Sequence, residues 1–156
     1  MADAPRFDPD GREERWGEFR FAMDTRVDVS DTDLGAIVYY GRYVHFVDRA
    51  VIAYRRFLGF PPLGPEGHLF VVRALALEYH ASARFDDVLT VRVRTTAVGR
   101  TSHALAVAVT RVEPGGDVAT LVEATMTQVG VGGYPPSRPT RVPDDVAARL
   151  REFERL

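Results

Sequence analysis

The chain predicts a single α+β domain in which five antiparallel strands pack against one long helix. Three observations carry that expectation. Between Tyr43 and Leu58 apolar residues recur at helical spacing. Four consecutive stretches of period-two patterning follow, joined by short turns, and one more precedes the helix. At 156 residues the chain is long enough to bury a core and short for two domains.

Taken in order, Met1 to about Glu18 reads as a loose arm rich in Pro, Gly and charge, which places the domain at 19–156. From Phe19 the pattern alternates: Phe19, Phe21, Met23, Val27 and Val29 against Arg20, Asp24, Arg26 and Asp28, a half-buried strand. A turn over Ser30–Ala36 leads into the helix. There Tyr43, Phe46, Val47, Ala50, Tyr54, Phe57 and Leu58 form a wide apolar stripe, with His45, Asp48, Arg49, Arg55 and Arg56 largely opposite. Gly59 and Pro61-Pro62 stop it, and a Pro/Gly loop runs to Gly67. Strands are then expected over Leu69–His80, Val88–Thr96, Ser102–Val112 and Val118–Val131, the last two joined by the hairpin turn Pro114-Gly115-Gly116-Asp117. The stretch Gly130–Pro136 ends the sheet. Pro143 opens a short terminal helix, about 143–156, with Asp144 and Asp145 in its first turn.

Composition narrows the chemistry. A net charge of −2 offers no basic surface for nucleic acid or an anionic membrane, and no apolar run reaches membrane-spanning length. Met1–Trp16 lacks the apolar run of a signal peptide, so a cytoplasmic location is expected. The chain has no Cys, which removes disulfides, thiolate nucleophiles and zinc–thiolate sites. All twenty basic residues are Arg, so lysine chemistry is excluded too. No G-x-S-x-G elbow is present, and Gly130–Gly133 lacks the spacing and following helix of a dinucleotide loop.

The turn before the helix is the stretch with chemical promise. Asp31 and Asp33 stand where helix N–H donors are unpaired. On spacing alone, D-x-D before a helix is most often capping or an Asx-turn. Gly35 is expected at positive φ, and Tyr39, Tyr40 and Tyr43 default to aromatic packing. His45 and Asp48 have i, i+3 spacing, but two ligands without a third are a weak metal pair. His68, His80 and His103 read as isolated, with His68 nearest the expected site.

With these residues in view, the sequence resembles the acyl-CoA thioesterases typified by 4-hydroxybenzoyl-CoA thioesterase, on the hot-dog fold. Three stretches carry the likeness. Asp31 to Tyr43 is close to the family's pattern D-x-D-x-x-G-x-V-(Y/W)-x-x-x-Y, with Gly35, Val38 and Tyr43 taken as matches. Phe70–Arg73 running to Tyr79, then Ala83–Leu89, is the second, and Gly99–His103 the third. The resemblance implies a sheet wrapped around the helix and hydrolysis of an acyl-CoA thioester. Asp33 would serve as nucleophile or as base for water, while Asp31 keeps a structural role. It implies that backbone N–H groups at Leu69, Phe70 and Val71 polarise the thioester carbonyl, that Gly35, Val38, Tyr40 and Arg42 line the acyl side, and that Arg100, Thr101 and Ser102 hold CoA. From the residues alone, an arginine in the Gly99-Arg100-Thr101-Ser102 turn is more often a solvated loop arginine than a phosphate ligand. No metal is implied, and no cofactor beyond the CoA of the substrate.

The same resemblance implies a homodimer with sites at the subunit boundary, paired further into a tetramer, which fits the open edges of a five-stranded sheet. The sequence departs from the family at Arg42, where many members have Asn, and at Tyr40, where one branch has His. Three alternatives stand beside a CoA thioesterase: a non-catalytic acyl-CoA-binding module, a thioesterase acting on acyl-carrier protein, and a hydratase. The last wants an Asp/His pair on the turn, and no His lies between Asp31 and Tyr43.

Overall fold

A computed structural model describes residues 6–61, 68–133 and 138–156. The elements are β1 (Arg12–Trp16), β2 (Phe19–Arg26), a 3-10 turn (Val29–Asp31), α1 (Arg42–Phe57), β3 (His68–Tyr79), β4 (Val88–Val98), β5 (Ser102–Val112), β6 (Val118–Gly132) and α2 (Asp144–Glu154). The sheet runs in the order β1-β2-β4-β5-β6-β3, every neighbouring pair antiparallel. The expected loop Gly59–Gly67 and the expected sheet end Gly130–Pro136 fall partly outside the described residues.

α1 lies against the concave face as its stripe requires. Tyr43, Phe46, Val47, Ala50, Val51, Ala53 and Tyr54 are buried on it, against Phe21 and Met23 of β2, Leu89, Val91 and Val93 of β4, Leu105, Val107 and Val109 of β5, and Leu121 and Met126 of β6. Burying each large side chain contributes about 1.5–3 kcal/mol, so this contact outweighs any helix propensity. α2 closes one end of the core with Val146, Ala147 and Leu150. Its Phe153 ring meets Tyr54 and Phe57 edge-on, at 6.2 and 5.6 Å. Glu154 Oε1 accepts from the Tyr54 hydroxyl at 2.6 Å and from the Thr95 N–H at 2.9 Å. Burial pushes the Glu154 carboxyl up and the Tyr54 phenol up.

The sheet has six strands where five were expected, because part of the N-terminal segment taken for a loose arm is β1. Arg12-Glu13-Glu14-Arg15-Trp16 carries charge on both faces, so alternation of apolar with polar residues cannot reveal it. Polar pairing stabilises it instead. Arg12 binds Asp24 at 2.6 Å and Glu14 at 2.7 Å, and Arg92 binds Glu14 at 2.9 Å while its guanidinium lies 5.0 Å over the Trp16 ring. Asp24 is only 2% exposed, but the Asp8 N–H at 3.0 Å and the Thr90 hydroxyl at 2.8 Å complete its partners. β2 also stops at Arg26, earlier than the alternation to Val29 suggested, since Val29–Asp31 turns as a 3-10 helix. At the far side β3 is the edge strand, paired only with β6 among the described residues.

Candidate active site

The link from β2 to α1 is folded by its two aspartates, each in a different way. Asp31, 4% exposed, accepts from the Asp28 N–H at 2.8 Å, and its Oδ1 takes both Nε and Nη2 of Arg42, at 2.9 and 2.7 Å. Its own carbonyl accepts from the Tyr39 N–H at 2.9 Å. Asp31 therefore ties the start of α1 to the end of β2. Arg42, expected on the acyl side, is turned to this carboxylate and does not line the cavity described below. A sequence pattern cannot show a pair eleven residues apart that meets only once the turn is folded.

Between Thr32 and Val38, which form a bridge, the chain makes a tight loop closed by the bonds Asp33 N–H to Ile37 carbonyl and Ala36 N–H to Asp33 carbonyl, both 3.0 Å. Asp33 Oδ1 accepts from the Gly35 N–H at 2.8 Å. The Asp33 side chain is exposed. Gly35 was expected at positive φ; Ala36 takes that conformation instead, with φ of 59°. The glycine of the family's pattern falls on Ala36, one residue later than Gly35. What Gly35 supplies is room, since a Cβ there would sit 3.0 Å from Asp33 Oδ1.

Asp33 opens on a cavity of about 300 Å³ lined also by Ile37, Val38, Tyr40, Tyr43, Tyr79, His80, Ala81 and Ser82. The Tyr79 hydroxyl donates to the Tyr40 carbonyl at 2.9 Å. The Tyr43 hydroxyl accepts from the Ala83 N–H at 2.9 Å, and burial pushes its phenol up. Of the expected acyl-side residues, Val38 and Tyr40 line this cavity with Asp33; Gly35 only touches the carboxylate. His80, which read as isolated, is in the wall, and its Nε2 lies 2.8 Å from Glu123 Oε2. With Glu78 these form the one trio of metal-capable side chains among the described residues, all three exposed. His80 was missed because β3 and β6, distant in sequence from the aspartates, bring it there.

The other expected residues gather elsewhere. Val71 pairs with Val129 and Val129 with Ser102, so Leu69–Val71 and Ser102 lie two strands apart at one end of the sheet. The Thr101 carbonyl accepts from the Gly130 N–H at 2.7 Å, and Arg100 is exposed beside them with its carbonyl bound by the Val142 N–H. From Phe70 to Tyr79 the strand spans about 30 Å. Within one chain, Asp33 is therefore remote from the Leu69–Val71 backbone and from Arg100.

A buried polar group backs that second cluster. Phe70 sits edge-on between His68 and His103, at 4.9 and 4.7 Å, with the Arg55 guanidinium 4.9 Å over its ring. Arg55 donates to Gln128 Oε1. Burial pulls Arg55 down to about 10. Burial first, then the Arg55 charge, lowers His103 to about 4.

A sheet curled around one long helix, with an exposed aspartate on the turn that opens that helix, defines a hot-dog domain. The chain belongs to the thioesterase superfamily, whose model it matches over residues 35–118, beginning two residues after Asp33. Among curated relatives it is 40% identical over 81 residues to the acyl-CoA thioesterase YbgC of Haemophilus influenzae, 50% of this chain and 60% of that one. It is 39% identical over 84 residues to the acyl-CoA thioester hydrolase YbgC of Escherichia coli O157:H7, 53% and 63%. The chain thus spans about three-fifths of the length of these relatives.

Among solved structures, 4-hydroxybenzoyl-CoA thioesterase from Pseudomonas sp. strain CBS-3 superposes with a TM-score of 0.74 at 26% identity, over 82% of this chain and 96% of that one. A mutant of 4-hydroxybenzoyl-CoA thioesterase complexed with 4-hydroxybenzoyl-CoA gives 0.77 at 26%, over 83% and 96%. A thioesterase-superfamily protein from Jannaschia sp. CCS1 gives 0.80 at 16%, over 90% and 87%, a likeness of fold alone. No helix among the described residues is long and apolar enough to cross a membrane.

Proposed function

We propose that this protein hydrolyses acyl-CoA thioesters to a free carboxylic acid and CoA, with Asp33 as the reacting carboxylate. The observation that carries the reading is the division of labour on the turn. Asp31 is buried and bound by Arg42, whereas Asp33 is exposed at the mouth of a cavity with the Gly35 N–H on one oxygen. A thioester is an activated acyl group, so a positioned carboxylate and donors for the oxyanion suffice. Either the carboxylate attacks the carbonyl carbon and expels CoA thiolate, or it takes a proton from the water that does. Neither route calls on a metal or a cofactor beyond the CoA of the substrate.

The separation of the two clusters supports a site made by two copies. β3 offers its free edge, and antiparallel pairing of two such edges about a twofold axis sets the Leu69–Val71 end of one strand beside the Tyr79 end of the other. Asp33 of one protomer then faces the Leu69–Val71 N–H groups and the Arg100–Ser102 turn of the second, where the guanidinium suits CoA phosphates. In this reading the protein is a homodimer, paired further into a tetramer, and works in the cytoplasm.

The test is thiol release from aliphatic and aromatic acyl-CoAs by wild type and Asp33→Asn. A loss of about a hundredfold or more with the fold intact is expected. Binding of acyl-CoA without thiol release, equal in the two proteins, would replace the hydrolase with a binding module.

A further inference from the structure

The wall of the Asp33 cavity holds a second titratable group, His80, that direct attack by Asp33 leaves unused. Its backbone is fixed, because the His80 and Ala81 N–H groups both bond the Leu121 carbonyl, at 2.8 and 3.2 Å. Its ring is held from β6, with Nε2 2.8 Å from Glu123 Oε2. An ionised carboxylate only accepts hydrogen bonds, so Nε2 carries the proton and Nδ1 is the basic nitrogen. A carboxylate on one nitrogen holds an imidazole in a single tautomer and stabilises the imidazolium it becomes on taking a proton.

We propose that His80 is the general base of the second half-reaction and Glu123 its positioning residue. The proposal rests on the hydrolase reading above and takes the route in which Asp33 is the nucleophile. An Asp33 oxygen bonds to the acyl carbon, the C–S bond breaks, and its electron pair leaves with CoA as thiolate. Asp33 is now acylated and has no free carboxylate with which to activate water. Water attacks the acyl carbon of the anhydride as its proton passes to His80 Nδ1. The bond between that carbon and the Asp33 oxygen breaks, restoring the carboxylate and freeing the acid. The imidazolium then gives its proton to the thiolate, so one water and one thioester become one acid and one thiol.

The experiment is rapid-mixing thiol release from the best acyl-CoA substrate, using the full chain, for wild type, His80→Ala, Glu123→Gln and Asp33→Asn. With His80→Ala, about one thiol per site is expected at the wild-type rate, followed by turnover about a hundredfold slower. Acylated protein should accumulate, detectable by its added mass, and exogenous imidazole should restore turnover. Glu123→Gln should slow the same phase and leave the first thiol untouched. His80 is on the surface, so its removal leaves the fold standing. Loss of the first thiol together with turnover in His80→Ala would overturn the proposal. So would wild-type turnover in that variant, and in either case an inactive Asp33→Asn would leave the hydrolase reading intact. Activity abolished by EDTA and restored by zinc would overturn it as well, by giving Glu78, His80 and Glu123 to a metal.

Discussion

His103 makes stability depend on pH, and the size of the effect follows from where it sits. The side chain is 5% exposed, faces Arg55 from α1, Gln128 from β6, and His68 and Phe70 from β3, and its Nδ1 has no hydrogen-bond partner among the described residues. Protonation in the folded state puts a charge into a dry site beside a guanidinium, which is why its pKa falls from 6.5 to about 4. A folded pKa below the unfolded one means that the unfolded chain binds the proton first as pH drops. The contribution is therefore fully present above 6.5 and lost as pH falls toward 4. A gap of about 2.5 pH units at about 1.4 kcal/mol each amounts to about 3.5 kcal/mol once the pH is below both values. Urea unfolding at pH 7.5, 5.5 and 4.5, wild type beside His103→Leu, isolates it, since carboxylate protonation is common to both proteins. Wild type should lose about 2.5 kcal/mol more than the variant between pH 7.5 and 4.5, the remainder falling below pH 4.5. Parallel stability curves would refute the reasoning and place a charge or water beside the ring.

Two further changes bear on the turn between β2 and α1. Gly35→Ala places a methyl 3.0 Å from Asp33 Oδ1; at a backbone φ that tolerates alanine, it should leave the melting temperature unchanged and lower kcat about tenfold by shifting the carboxylate. Arg42→Leu removes both guanidinium donors from a buried Asp31 and should cost about 2 kcal/mol in urea unfolding, whereas an arginine in the acyl pocket would instead alter the ranking of acyl-CoA substrates with no loss of stability.

Much of the fold was legible because hydrophobic burial writes its period into the chain. The stripe Tyr43–Leu58 gave α1 to within a residue at each end, and Ser102–Val112 is the strand as expected. β1 was illegible because ion pairs to Asp24 and Arg92, partners far along the chain, hold it in place of an apolar face. The same limit ran through the site. The resemblance picked out Asp33, Val38 and Tyr40, which share a cavity, but not His80, which β3 and β6 deliver, nor the bond that turns Arg42 onto Asp31. Assigning positive φ to Gly35 followed the usual preference of glycine, whereas the loop closure by Asp33 and Ile37 sets that conformation at Ala36.

The hairpin at the N-terminus bears on where assembly stops. A sheet that grows by adding edges has two places to grow, and joining β3 to β3 uses one edge of each copy. What each copy has left is β1, five residues long, charged along its length and out of register between Glu13 and Trp16. Such an edge is a poor template for another strand. In the proposed dimer, two copies would close on themselves as a finite ribbon of twelve strands, six from each. Without β1 the outermost strand would be β2, eight residues long and carrying Phe19, Phe21, Ala22 and Met23, and the same pairing rule would have a second outlet from which chains of copies would extend without end.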